Sequence, residues 1–313
     1  MCRHLAYLGP PVPVADPIIR GPHSLRTQSW APREMRGGGT INADGFGVAW
    51  WTPVLPTPPN RGPGVAWHGG SAIGSESPGI VVGESDSEVR GRSSGSAATV
   101  RTGEPPSAAR GVGSLGVTRY RNAAPIWSDP AVDEVLPQLF SGAVVAAVRS
   151  ATAGLPVERA ACAPFTRGRW AFSHNGAIPD WRRALTAVAT EFGVSGLLEA
   201  EALTDSAVLW VILHALLERS DPETALRQVV RAVLREAPGA RLNLLLCDGE
   251  TVWATTRYHS LAVLADGDSV VVASEPYDDD PRWQPIADGQ LVVARAGRST
   301  SAALDIEIER APS

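Results

Sequence analysis

The chain has 313 residues, a hydrophobic fraction of 44% and a net charge of −5, enough apolar material for a full core and no cationic surplus for a nucleic-acid partner. All 28 basic residues are arginine, which excludes a lysine-dependent phosphate loop, a Schiff-base enzyme and a Ser-Lys dyad. No apolar run approaches the roughly 18–20 residues of a membrane span, and Met1-Cys2-Arg3-His4 opens no secretory core, so a cytoplasmic protein without membrane contact is expected.

In chain order, Met1 to Leu8 reads as a short strand ending at Gly9-Pro10-Pro11, and a second strand is predicted over 46–51. The glycines of Arg36-Gly37-Gly38-Gly39 neither follow a strand nor open a helix, which argues against a dinucleotide site. From about 53 to 114 the sequence is rich in Gly, Ser and Pro. Such a composition buries too little apolar surface to offset its ordering entropy. It reads as a flexible insertion in a single domain spanning 2–313. Strands are expected at 143–149 and 169–173, then helices at 180–192, 204–219 and 222–236. Short strands follow at 242–247, 252–256, 260–264, 269–273, 290–295 and 305–309. Strands at both ends with helices between, and no βαβ alternation, predict α+β layers.

The three cysteines, Cys2, Cys162 and Cys247, lie far apart, and no Cys-x-x-Cys or His-x-x-x-His spacing occurs. Neither a disulfide framework nor a metal site is expected. Cys247, inside Leu-Leu-Leu-Cys-Asp, reads as a buried strand residue. Cys2 differs. Removal of Met1 leaves a thiol and a free α-amine on one residue, and an amine of pKa about 7.7–8.0 serves as general base near neutrality. Ser173-His174-Asn175-Gly176, after a predicted strand, offers an amide and a backbone N–H for an oxyanion hole; the alternative is a β-turn. Arg149 closes an apolar strand and suits a carboxylate, unless it simply emerges into solvent. Asp205 opens an amphipathic helix and suits an ammonium group, unless it is a helix cap.

Taken in order, Met1-Cys2-Arg3-His4-Leu5, Asp44-Gly45-Phe46-Gly47, Arg149-Ser150-Ala151-Thr152, His174-Asn175-Gly176 and Thr204-Asp205-Ser206 resemble the class II glutamine amidotransferases. These are N-terminal-nucleophile hydrolases with a four-layer αββα sandwich. Ser274-Glu275-Pro276, with Trp283 and Pro285, is similar to the C-terminal signature of their stand-alone subgroup. The resemblance spans the chain outside 53–114. It implies Cys2 as nucleophile and, through its amine, base, with Asn175 and the Gly176 N–H as oxyanion hole. It also implies Arg149 on a glutamyl α-carboxylate with Thr152 nearby, Asp205 on the α-ammonium, a γ-glutamyl thioester, and no cofactor or metal.

Synthase-linked members often carry a histidine where Ala153 stands, and the motifs run to about 285. A hydrolase acting on its own small-molecule γ-glutamyl substrate is therefore expected, with homo-oligomerisation left open. Among stand-alone members, Met-Cys-Arg-His-Leu-Ala-Tyr-Leu-Gly, Tyr120-Arg121 and Ala124-Pro125-Ile126-Trp127 resemble the hydrolases of γ-glutamyl hercynylcysteine sulfoxide in ergothioneine biosynthesis. An amidotransferase subunit supplying ammonia to a separate synthase and a γ-glutamyl peptide hydrolase are the rival readings. Tyr120, Trp127 and Trp283 are candidates to hold a trimethylated ammonium, with core packing as the alternative.

Overall fold

The computed structural model describes residues 2–36, 41–54, 115–152 and 154–304. The expected insertion, beyond its first residues, and the strand expected at 305–309 lie outside them. Among the described residues thirteen strands, numbered in chain order, form two antiparallel sheets. The first runs β11 (Gln284–Pro285), β9 (Ala262–Asp266), β10 (Ser269–Ala273), β1 (Arg3–Pro13), β4 (Phe140–Val148), β2 (Phe46–Pro53), β3 (Leu115–Asn122). The second runs β13 (Arg298–Ala303), β12 (Gln290–Arg295), β8 (Val252–Thr255), β7 (Arg241–Cys247), β6 (Trp170–Ala177), β5 (Phe165–Arg167).

Alternation along the central strands builds the layers. In β1, Ala6 and Leu8 face the second sheet, while Leu5 and Tyr7 point the other way. In β4, Ala143 and Val145 face inward and Val144, Ala146 and Val148 outward. A strand apolar on both faces is what a middle layer needs. The inter-sheet core also takes Leu245, Cys247, Val270, Val272 and Val292. On the outer face of the first sheet pack the short helices α1 (Asp16–Ile19), α2 (Leu25–Gln28) and α3 (Ala131–Glu134), through Ile18, Leu25 and Val132. On the outer face of the second pack α4 (Trp181–Glu191), α5 (Asp205–Leu217) and α6 (Pro222–Glu236). The result is an αββα sandwich.

The starts of α5 and α6 follow their capping chemistry. Thr204 accepts the Ala207 N–H at 3.2 Å, and Asp221 accepts that of Thr224 at 3.0 Å, with Pro222 next to it. Two expectations need correction. The first strand does not end at Gly9; β1 continues through Pro10 and Pro11 to Pro13. Its pairing with β10 covers only Leu5–Leu8, and its register with β4 shifts between Leu8 and Val12. Pro10 and Pro11 thus fall in an irregular stretch that requires no ladder donors. Likewise the 169–173 strand extends to Ala177, so Ser173-His174-Asn175-Gly176 lies within β6, not after it. Asn175 pairs with Asn243 of β7 and Gly176 with Leu242. A turn there is excluded.

Candidate active site

Cys2 immediately precedes β1 and is partly exposed, whereas Cys162 and Cys247 are buried. Burial pushes the Cys162 thiol up to about 11 and raises that of Cys247 as well. Of the three cysteines only Cys2 is accessible to a substrate. The start of β1 is tied to the second sheet by Ser274. Its hydroxyl accepts the His4 backbone N–H at 3.0 Å and the Asn175 side-chain amide at 3.3 Å. His4 Nδ1 lies 3.2 Å from Ser173 Oγ. Asn175 is fully buried and its Oδ1 has no hydrogen-bond partner among the described residues. At Gly176 a Cβ would sit 1.8 Å from the Arg241 carbonyl oxygen, so only glycine permits this strand approach.

Beside these residues lies a cleft of about 720 Å³ lined by Thr152, Ala177, Ile178, Trp181, Asp205 and Tyr258, among others. Asp205 is 6% exposed; its Oδ2 accepts the Ile178 N–H at 3.1 Å and its Oδ1 that of Ser206 at 2.8 Å. Capping of α5 belongs to its neighbour Thr204. Asp205 is therefore a buried carboxylate aimed at a cleft. His174 fixes the region from behind: its Nε2 is 2.8 Å from the Arg241 carbonyl, which only accepts, so that nitrogen carries the proton. Its Nδ1 lies 3.1 Å from Ser206 Oγ, which is also 3.3 Å from Asp205 Oδ1.

Arg149 follows β4 and is 8% exposed. One guanidinium nitrogen donates to the Pro156 carbonyl at 2.9 Å, and no carboxylate pairs with it among the described residues. A buried cation without an anion is costly, and a ligand carboxylate removes the cost. The backbone around it is pinned. Arg149 N–H donates to the Gly45 carbonyl, Asp44 N–H to the Arg149 carbonyl, and Ala151 N–H to Asp44 Oδ2 at 2.7 Å. Gly45 has φ of 114°, and a Cβ there would meet Cys162 Sγ at 2.4 Å. That explains the Asp44-Gly45 pair beside the arginine.

Of the six expected site residues, Thr152 and Asp205 line the cleft. Gly176 abuts it through Ala177, and Asn175 through the same strand. Arg149 and Cys2 are not among its lining residues. Among the described residues no group of three or more His, Cys, Asp or Glu side chains is arranged to hold a metal, and no helix is long and apolar enough to cross a membrane.

Comparison with known proteins decides the family. The chain is 33% identical over 307 residues to the gamma-glutamyl-hercynylcysteine sulfoxide hydrolase of Mycobacterium tuberculosis (strain CDC 1551 / Oshkosh), covering 97% of each. It is 34% identical over 295 residues to the protein of that name from Mycolicibacterium smegmatis, covering 94% of this chain and 96% of the other. Residues 128–267 match the glutamine amidotransferases class-II family. The chain belongs to the class-II glutamine amidotransferases. Its fold is shared with a class-II domain protein from Silicibacter pomeroyi, at a TM-score of 0.53, 21% identity and coverage of 97% and 99%. It is shared too with the glutamine PRPP amidotransferase of Bacillus subtilis, at a TM-score of 0.55 and 13% identity, where 99% of this chain covers 50% of that one. In this amidotransferase-like chain, sequence reasoning missed His174 as a support for Ser206, and Tyr258 and His259, whose surroundings come from distant strands. The Ser274-Glu275-Pro276 motif did flag Ser274, but not that it bridges the sheets.

Proposed function

We propose that the protein hydrolyses the γ-glutamyl amide bond of γ-glutamyl hercynylcysteine sulfoxide, releasing glutamate and hercynylcysteine sulfoxide. The observation that carries this reading is near full-length identity of 32–34% to three proteins bearing that hydrolase name. The geometry supports it: a buried, unpaired Arg149 suits the glutamyl α-carboxylate, and the inward Asp205 suits the α-ammonium.

Once Met1 is removed, the Cys2 α-amine takes the thiol proton as sulfur attacks the γ-carbonyl carbon. The carbonyl electrons move to an oxyanion held by the Asn175 amide and the Gly176 N–H. Collapse returns the proton to the departing amine and leaves a γ-glutamyl thioester on Cys2. Water, deprotonated by the same α-amine, cleaves the thioester to glutamate and regenerates the thiol. Cellular location and assembly state do not enter this chemistry.

The test is a panel of γ-glutamyl compounds with glutamate and ammonia followed separately. The reading predicts glutamate and hercynylcysteine sulfoxide in equal amounts, with glutamine a poor substrate. Efficient glutamine hydrolysis that rises with a synthase partner would instead favour an ammonia-supplying subunit.

A further inference from the structure

Tyr258 has φ of 90°, a left-handed conformation that a bulky residue keeps only where its surroundings over-determine it. They do so here. Its N–H donates to Asp288 Oδ1 at 2.7 Å and its carbonyl accepts from Arg36 Nη1 at 2.7 Å. The flanking N–H groups of Arg257 and His259 both donate to Asn243 Oδ1 at 3.0 Å. Asn243 is the strand partner of Asn175. The strained corner is thus fastened to the residue paired with the oxyanion donor.

This corner contributes to two concavities. Tyr258 lines the cleft that holds Thr152 and Asp205. His259 and Ser260 line a second pocket, of about 270 Å³, with Glu34, Arg36 and Trp283. His259 is 2% exposed, and among the described residues neither of its ring nitrogens nor the buried Ser260 hydroxyl has a hydrogen-bond partner. Buried polar atoms are ordinarily paired, and exceptions beside a cavity point to a ligand. Burial, with Arg3 and Arg241 nearby, holds the His259 ring down at about 3, so the ring is neutral and offers one N–H and one lone pair. The same pocket is lined by the acidic residues Glu34 and Asp288 against one arginine, Arg36, and by the half-buried Trp283, a surplus of negative charge beside an aromatic ring that favours a cation.

The pocket is also wired to the nucleophile's end of the chain. The Glu34 N–H donates to Glu275 Oε2 at 2.7 Å, and Glu275 Oε1 lies 3.6 Å from Nε of Arg3, the residue after Cys2. Both Arg3 and Glu275 are buried.

We propose that this second pocket is the subsite for the leaving half of the substrate. In it, His259 and Ser260 hydrogen-bond to the leaving group's oxygen acceptors, and Glu34 with Trp283 holds its cationic end. The proposal rests on the γ-glutamyl hydrolase reading. A leaving group bearing a quaternary ammonium beside a carboxylate matches both sets of residues, because such an ammonium donates no hydrogen bond and is held by charge and an aromatic face. The glutamyl half then occupies the Asp205 cleft. Of the other aromatic candidates, Tyr120 gives its hydroxyl to Asp129 at 2.8 Å, and Trp127 meets Trp30 edge-on.

Steady-state kinetics of the full-length protein test this. The substrates are γ-glutamyl hercynylcysteine sulfoxide, its unmethylated histidine counterpart and glutamine; the variants are Glu34→Gln, Trp283→Ala and His259→Gln. Glu34→Gln and Trp283→Ala should each cut the preference for the trimethylated over the unmethylated substrate by roughly two- to thirtyfold, mainly through KM. His259→Gln, checked for folding by its thermal melt, should lower kcat/KM for both sulfoxides relative to glutamine. If the wild type shows the preference and the Glu34 and Trp283 variants keep it in full, the subsite is overturned while the hydrolase reading stands. A wild type that does not distinguish the methylated substrate overturns both.

Discussion

Asn175 gives its side-chain amide to the Ser274 hydroxyl at 3.3 Å, and the same oxygen receives the His4 N–H at 3.0 Å. One hydroxyl therefore sets the start of β1, next to Cys2, against the strand that carries Asn175, the proposed oxyanion donor. Ser274→Ala should leave two buried donors unpaired and cost about 1–3 kcal/mol of stability for each. It should also lower kcat more than it raises KM, as measured by urea denaturation alongside kinetics. A loss of activity no larger than the loss of folded protein would make Ser274 purely structural.

The proposed glutamyl clamp of Arg149 and Asp205 makes a second prediction. Arg149→Ala and Asp205→Asn should each reduce kcat/KM by the equivalent of about 2–5 kcal/mol, since each leaves one substrate charge unmatched in a buried place. Wild type should discriminate strongly against substrates lacking the α-amine, and Asp205→Asn should lose most of that discrimination. If it discriminates as well as wild type, Asp205 only supports the Ile178 and Ser206 backbone.

Thiol reactivity offers a chemical check. With Cys162 pushed up to about 11 and Cys247 buried, fewer than about one in a thousand Cys162 groups is thiolate at neutral pH. Iodoacetamide should label Cys2 alone in the folded protein and all three cysteines after denaturation. Comparable labelling of Cys162 in the native state contradicts the buried, inert role given to it.

Acid stability follows from two buried imidazoles. Burial holds both His4 and His259 at about 3, against about 6.5 in an unfolded chain. Between these values the unfolded state binds protons that the folded rings refuse, so stability falls as pH drops from about 6.5 toward 3. Each ring contributes up to ~1.4 kcal/mol per pH unit in that window and nothing above it. Thermal melts from pH 7 to 4 should show the slope, and His259→Gln should remove one ring's share. An identical slope in that variant would show that His259 takes up its proton while folded.

The layers were legible because local signals and packing agree. Pro222 after Asp221 starts a helix, and the apolar run over 143–148 is a strand buried on both faces. The site residues were legible as motifs, not as geometry. Periodicity ended a strand at Ser173, because His174-Asn175-Gly176 has the composition of a turn, yet pairing with β7 overrides that local preference. Likewise Gly9-Pro10-Pro11 looked like a stop, but β4 resumes its pairing beyond the bulge. Nothing in Arg257-Tyr258-His259 announces a strained corner; its fastenings come from Arg36, Asn243 and Asp288.

The central claim is that Cys2, as the first residue of the mature chain, carries the glutamyl group. Acid-quenching the protein during turnover of γ-glutamyl hercynylcysteine sulfoxide, followed by intact-mass and peptide mapping, tests it most directly. The account predicts a chain lacking Met1 with one γ-glutamyl group on the Cys2 thiol, and no adduct in an inactive Cys2→Ala variant. A fully active protein that retains Met1, or a glutamyl adduct on any other residue, would contradict it.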